Sequence, residues 1–143
     1  MTKSPSDVKI LATGLTVTSE VDPYFRKLYG TPDQIKAKID ADIENIRAAG
    51  FHVELKYVSD ASPQAMTESV EWLRNRLRTE KFDGVMIGTG LRLVPEQTAL
   101  WEEVVNVFIQ ESPKSVFMFN DGPGRNYWAL QRNKERLGIT TEY

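Results

Sequence analysis

The chain predicts a single three-layer α/β domain built on a four-stranded parallel sheet. Short apolar runs alternate with longer stretches whose apolar residues recur every three or four positions, in the repeating order strand then helix. Each central run stops at residues that favour turns: Thr13-Gly14, Gly88-Thr89-Gly90 and Asn120-Asp121-Gly122. The 143 residues, 41% hydrophobic, supply core for one domain spanning 1–143, with no repeat and no linker to a second.

The first strand is VKILA at 8–12, after a lead-in at 1–7 expected to be flexible. TPDQ at 31–34 opens the first helix, with Thr31 as N-cap, Pro32 at the first helical position and Gln34 placed for a capping box. Ile35, Ile39, Ile43 and Ile46 share its inner face, and Gly50 ends it. FHVELKYV at 51–58 alternates: Phe51, Val53, Leu55 and Tyr57 on one side, His52, Glu54 and Lys56 on the other. That pattern suits a strand covered on one face or lying at an edge. Ser62-Pro63 starts a second helix with Met66, Val70, Leu73 and Leu77 inward. The third strand is the apolar run after Asp83. Pro95 begins a third helix with Leu100, Val104, Phe108 and Ile109 inward, and Pro113 stops it. SVFMF at 115–119 is the fourth strand. A closing helix covers 127–137, ended by Gly138, with 138–143 as a tail. Parallel pairing with right-handed crossovers, an edge-like second strand and nearly all-apolar first and third strands predict the order 2-1-3-4.

Composition removes several functions. With 18 basic and 20 acidic residues, a net charge of −2 and no basic block, neither nucleic acid nor an anionic membrane is favoured as a partner. There is no cysteine, hence no disulfide, thiolate nucleophile or cysteine-bound zinc. MTKSPSDVKI lacks the apolar core of a signal peptide, and no run reaches the roughly 20 apolar residues of a membrane span, so a cytoplasmic protein is expected.

In an open parallel sheet, ligands bind beyond the carboxyl ends of the strands where strand order reverses. Here that point lies between the first and third strands, and it gathers Thr13, Gly14, Gly88, Thr89, Gly90 and, from the fourth strand, Asn120. Glycine lets backbone N–H groups approach a ligand and tolerates the positive φ of a sharp exit. Arg92 would overhang this crevice as a planar cation suited to carboxylate or phosphate, beside the helix begun at Pro95. The plainer reading makes the glycines a turn and pairs Arg92 with Glu96 or Asp121. The interval 15–30, LTVTSEVDPYFRKLYG, is far longer than the usual 2 to 6 residues or so and reads equally as a lid or as a short helix covering the sheet. Of the groups that could move a proton, Asp121 and the lid residue Tyr24 are the catalytic candidates, although Asp121 in NDGPG also suits a turn.

Other motifs fall away. GTGLRL has Leu93 where a dinucleotide fingerprint needs its third glycine, and no P-loop is present. TGLTVTSE is rich in hydroxyls like a flavin phosphate loop, but the long interval delays the helix that would receive the phosphate, so no cofactor is expected and FMN is the one alternative kept. His52, the only histidine, lies on the far edge, and scattered carboxylates give no metal site. Trp72, Trp101 and Trp128 read as packing residues. Trp101, at the border of its helix's buried stripe, would anchor a homodimer if it faces outward.

The segment DGVMIGTGLRLVPEQTALWEEVVN resembles a family of small Rossmann-like, flavodoxin-like proteins of bacteria and fungi. The likeness is a pattern of aspartate, apolar strand, Gly-x-Gly-x-Arg-x-x-Pro and a helix bearing Leu100, Glu102 and Asn106, followed by Phe119-Asn120. It departs after the first strand, where relatives read Gly-Leu-Asp-Pro and this chain has Gly14-Leu15-Thr16-Val17. The resemblance implies the fold and the position of the site and no reaction. The expected function is binding of a small anionic metabolite at the carboxyl edge, with or without turnover. The alternatives are a non-catalytic sensing module and a structural homo-oligomer formed through the third helix.

Overall fold

The computed structural model describes residues 3–16 and 27–139. Four strands, β1 (Lys9–Leu15), β2 (His52–Val58), β3 (Gly84–Ile87) and β4 (Val116–Phe119), form one sheet in the order β2-β1-β3-β4, every pair parallel. The helices are α1 (Pro32–Ala48), α2 (Pro63–Thr79), α3 (Thr89–Leu93), α4 (Thr98–Glu111), α5 (Asn126–Arg132) and α6 (Lys134–Leu137). This is the Rossmann- and flavodoxin-like three-layer arrangement that the strand–helix alternation predicts.

Local chemistry sets the helix boundaries. At α1, Gln34 N donates to Thr31 Oγ1 (3.2 Å) and Thr31 N to Gln34 Oε1 (2.8 Å), so two orphan amides are satisfied reciprocally. Gly50 then turns the chain at φ +101°, a conformation that suits glycine. Ser62 caps α2 by accepting from Ala65 N at 3.0 Å.

The sheet divides the core in two. Ile10, Ala12, Met86 and Met118 pack with Ile43 and Ile46 of α1, Ala129 and Leu130 of α5 and Leu137 of α6. Leu11, Val85 and Ile87 pack on the opposite face with Leu73 and Leu77 of α2 and Leu100, Val104 and Phe108 of α4. Being covered on both faces, β1 and β3 can be apolar throughout. Asp83 clips these central strands together at their start: its Oδ2 accepts from Lys9 N (2.8 Å), and Asp83 N donates to Lys9 O (2.8 Å).

Four expectations differ from the structure. Strand β1 runs on through Thr13 and Gly14 to Leu15, each paired with β2, instead of ending at Ala12. Pro95 opens only a 3-10 turn, Pro95–Gln97, and α4 begins at Thr98. Ile109 is 51% exposed, and Val107 occupies the inner stripe instead, because it lies one turn from Val104 while Ile109 is swung a further 200° around the axis. The closing helix breaks at Asn133, whose buried side chain donates to Ala129 O at 2.8 Å and accepts from Arg136 Nη1 at 2.9 Å, drawing the backbone out of register. At the termini of the described chain, Pro5–Asp7 is a 3-10 turn with Pro5 buried, and Lys3 N donates to Gly138 O at 2.8 Å. Of the 15–30 interval, residues 17–26 lie outside the described residues.

Leu100 is fully buried between α4 and the sheet. Leu100→Ala is expected to lower the unfolding free energy by about 2–5 kcal/mol, measured by urea titration. A loss under about 1 kcal/mol would mean that this helix is only loosely seated.

Candidate functional site

The predicted crevice residues do meet at the carboxyl edge, and much of their bonding capacity is spent on one another. Gly88 N donates to Thr13 O (2.9 Å), and Thr13 Oγ1 donates to Met86 O (2.8 Å). Gly88 caps the short helix α3, which carries Thr89, Gly90 and Arg92 where a loop was expected. The positive φ anticipated at this exit is not there: Gly88 has φ −75°, and Gly90 lies within the helix. Glycine at 88 instead serves close approach, since a Cβ would stand 3.1 Å from Thr13 O and 3.4 Å from Gly14 Cα. Of the hydroxyls in the FMN-like segment, Thr13 and Thr16 both donate to backbone carbonyls, Thr16 to Val58 O at 3.0 Å.

Asn120, 6% exposed, joins this edge to the helices. Its Oδ1 accepts from Thr89 N (2.9 Å) and lies 2.5 Å from Thr89 Oγ1, which is also 2.9 Å from Asn120 O. Its Nδ2 donates to Asn126 Oδ1 at 2.8 Å. From α1, Asp42 completes the chain of bonds: Oδ2 accepts from Asn126 N (2.6 Å) and Oδ1 from Tyr127 N (3.3 Å), so a side chain from another helix caps α5. Burial pushes the Asp42 carboxyl above its ordinary value and outweighs the two N–H bonds that pull the other way.

The loop after β4 lies against this frame. Gly124 has φ +78°, and Tyr29 Oη donates to Asp121 O at 3.3 Å. A Cβ on Gly122 would come within 3.1 Å of that hydroxyl. Asp121 is exposed and bonded to Arg125 Nε at 2.8 Å. The Arg125 guanidinium beside it holds its carboxyl below the usual range.

Beyond the end of β4 opens a cavity of about 380 Å³ lined by Arg92, Trp101, Phe119, Asn120, Asp121, Trp128 and Arg132. The volume lies within the range of about 300–1,000 Å³ usual for small-molecule sites. Arg92 reaches it from α3, donating to Asn120 O (3.0 Å) with its guanidinium 5.8 Å from the Phe119 ring centroid. It therefore leans over the end of β4, and among the described residues it pairs with neither Glu96 nor Asp121. Arg132 stacks 4.3 Å from the Trp128 ring centroid, with Arg125 at 4.4 Å from the same ring. Trp101 Nε1 is buried with no hydrogen-bond partner.

Sequence reasoning took Trp101 and Trp128 for packing residues and passed over Phe119 and Arg132. The four-residue spacing of Trp128 and Arg132 within a predicted helix was a usable signal, because it puts both on one face. Tyr24 lies outside the described residues. His52 is exposed at the start of β2, and among the described residues no group of three or more His, Asp or Glu side chains is gathered to hold a metal ion. The cavity can therefore offer cations, flat aromatic surface and one paired carboxylate. Compared with family models, with curated proteins and with solved structures, the chain matches none.

Two measurements check this frame. Asn120→Leu strands Thr89 N and Asn126 Oδ1, each at about 1–3 kcal/mol, which urea unfolding would register. A neutral result would mean that water takes over these bonds. For Asp42, the folded state holds its proton more tightly than the unfolded chain, whose value is near 3.8. Its contribution is thus fully present below that value and declines as pH rises through the raised native one. The stability lead of the wild type over Asp42→Asn should narrow as pH climbs through that window. A lead that widens would show that the N–H bonds, not burial, dominate.

Proposed function

We propose that the protein binds a small anionic metabolite at the carboxyl edge of its sheet, in the cavity beyond β4. One observation carries the reading: Arg92 and Arg132 both line that cavity, and among the described residues neither forms a salt bridge, Arg132 acting on Asp121 only through its charge. A guanidinium pair beside Trp101, Trp128 and Phe119 offers bidentate bonds to a carboxylate or phosphate and a stacking surface for a flat ring. The expected site at the β1–β3 reversal thus moves one strand outward, retaining Arg92 and Asn120 and adding Arg132 and the two tryptophans.

Binding without turnover is the form this geometry supports best. Asp121, the expected proton carrier, is held ionised by Arg125, and an acid so far below neutrality is a feeble base. It serves better as the group that fixes Arg125 over Trp128. Kinship with the small Rossmann-like proteins that DGVMIGTGLRLVP resembles belongs to this proposal and names no reaction.

Thermal unfolding with inorganic phosphate, citrate, benzoate and a nucleoside monophosphate tests the reading. A ligand at 100 times its Kd stabilises by about 2.7 kcal/mol, and each kcal/mol moves the midpoint by about 2–4 °C. At least one probe should shift the wild type. Arg92→Ala and Arg132→Ala should each remove most of that shift while the ligand-free midpoint changes little, since both side chains are exposed. The proposal fails if no probe shifts the wild type, or if the double variant responds as the wild type does.

A further inference from the structure

Three guanidiniums and one carboxylate surround the end of β4. Arg92 and Arg132 line the cavity together with Asp121, and Asp121 is bonded to Arg125 Nε at 2.8 Å. Guanidinium stays protonated, and the Asp121 carboxyl is held below its ordinary value by Arg125 with help from Arg132. Three positive charges against one negative leave the site with two net positive charges. Among the described residues no other carboxylate lines the cavity. The two charges are also close together, because Arg92 donates to Asn120 O at 3.0 Å and Arg132 acts on the next residue, Asp121. Both cations flank one spot. The rings beneath them hold them there: the Arg92 guanidinium lies 5.8 Å from the Phe119 centroid and that of Arg132 4.3 Å from the Trp128 centroid. Trp101 is the one lining aromatic with no cation over its ring among the described residues.

We infer that the ligand is a phosphomonoester carried on a single flat ring and bound as its dianion. The inference rests on the anion-binding reading above and narrows it by charge. A dianion neutralises two net positive charges, whereas a monocarboxylate leaves one unmatched. A phosphoryl group also places both charges on one centre and offers three acceptor oxygens, enough for two converging guanidiniums. Two carboxylates would spread the same charge across the width of a ring, and only one of them could meet the cations. The cavity, at about 380 Å³, lies near the lower end of small-molecule sites, which suits one ring better than a dinucleotide. Trp101 is the surface left for that ring.

Isothermal titration calorimetry with phenyl phosphate, benzenesulfonate and isophthalate is the test. Phenyl phosphate, with a second pKa of about 6, is dianionic at about pH 8 and mostly monoanionic at about pH 5. Benzenesulfonate has a similar shape and keeps one charge throughout. The arginines and Asp121 stay charged over this range, and His52, the only histidine, is exposed at the start of β2, at the opposite end of the sheet. Asp42, which faces Asn126 N, Tyr127 N and the charge of Arg125, has a raised value, and benzenesulfonate registers any effect of its titration because its own charge is fixed. At about pH 8 phenyl phosphate should bind about tenfold tighter than benzenesulfonate or more, and the gap should close at about pH 5. Isophthalate should follow benzenesulfonate. Arg132→Gln leaves one net positive charge at an exposed position and should remove most of the preference, with unchanged circular dichroism. Equal affinities at about pH 8, a preference that survives at about pH 5, or isophthalate binding as tightly as phenyl phosphate overturns the inference and leaves the anion site standing. Should none of the three bind at millimolar concentration while citrate or inorganic phosphate shifts the thermal midpoint, the inference again falls alone. If no anion binds at all, the reading beneath it falls as well.

Discussion

Asn120 stands where β4 ends, and its amide bonds in two directions at once, toward Thr89 behind β3 and toward Asn126 at the start of α5. Neither partner has an easy substitute, because all three residues are buried and an unmet polar group there is costly. Through Asn126 N the same chain of bonds reaches Asp42 on α1. One polar thread therefore crosses the carboxyl edge of the sheet and ties together elements from the first, third and final parts of the chain. Arg92 hangs from it by its bond to Asn120 O, and the loop bearing Asp121 and Arg125 runs between two of its knots. The outward groups are positioned because the inward ones are fully engaged.

That division explains what the sequence could disclose. The order β2-β1-β3-β4 was legible because burial is written directly into residue type: the spacing of Ile35, Ile39, Ile43 and Ile46, the half-polar alternation of His52–Val58 and the unbroken apolar run of Gly84–Ile87 each report their surroundings. Capping by Thr31 and Ser62 was legible because it is local. The site was legible only as an address. Gly88, Thr89 and Asn120 were rightly placed at one edge, but a glycine demanded by positive φ and one demanded by a passing carbonyl look alike in sequence. Long-range partners look alike as well: nothing near Asp42 announces that it caps a helix 84 positions later. Asn126 escaped for the same reason, whereas Arg132 was legible from its spacing to Trp128 and was passed over.

The electrostatics of the cavity follow from an uneven distribution of partners. Arg125 has Asp121, whereas Arg92 and Arg132 lean on aromatic rings. A guanidinium over a ring keeps most of its charge available and loses little freedom on meeting an anion, since its plane is already fixed. A carboxylate already committed to an arginine is poorly suited to accept a proton. The arrangement is therefore richer in holding power than in acid–base chemistry.

The sheet order has a consequence for biosynthesis. Strand β1 leaves the ribosome before β3, yet it is central, and the clip that seats it joins Lys9 to a residue 74 positions downstream. Until that second flank is made, Ile10 and Leu11 have at best one neighbour, β2, and a long-separated parallel pairing forms slowly. The nascent chain thus passes through an interval in which its most water-averse strand is a temporary margin, open to chaperones and to other unfinished chains. Translation speed between the second and third strands would then govern how much of the protein reaches its native state.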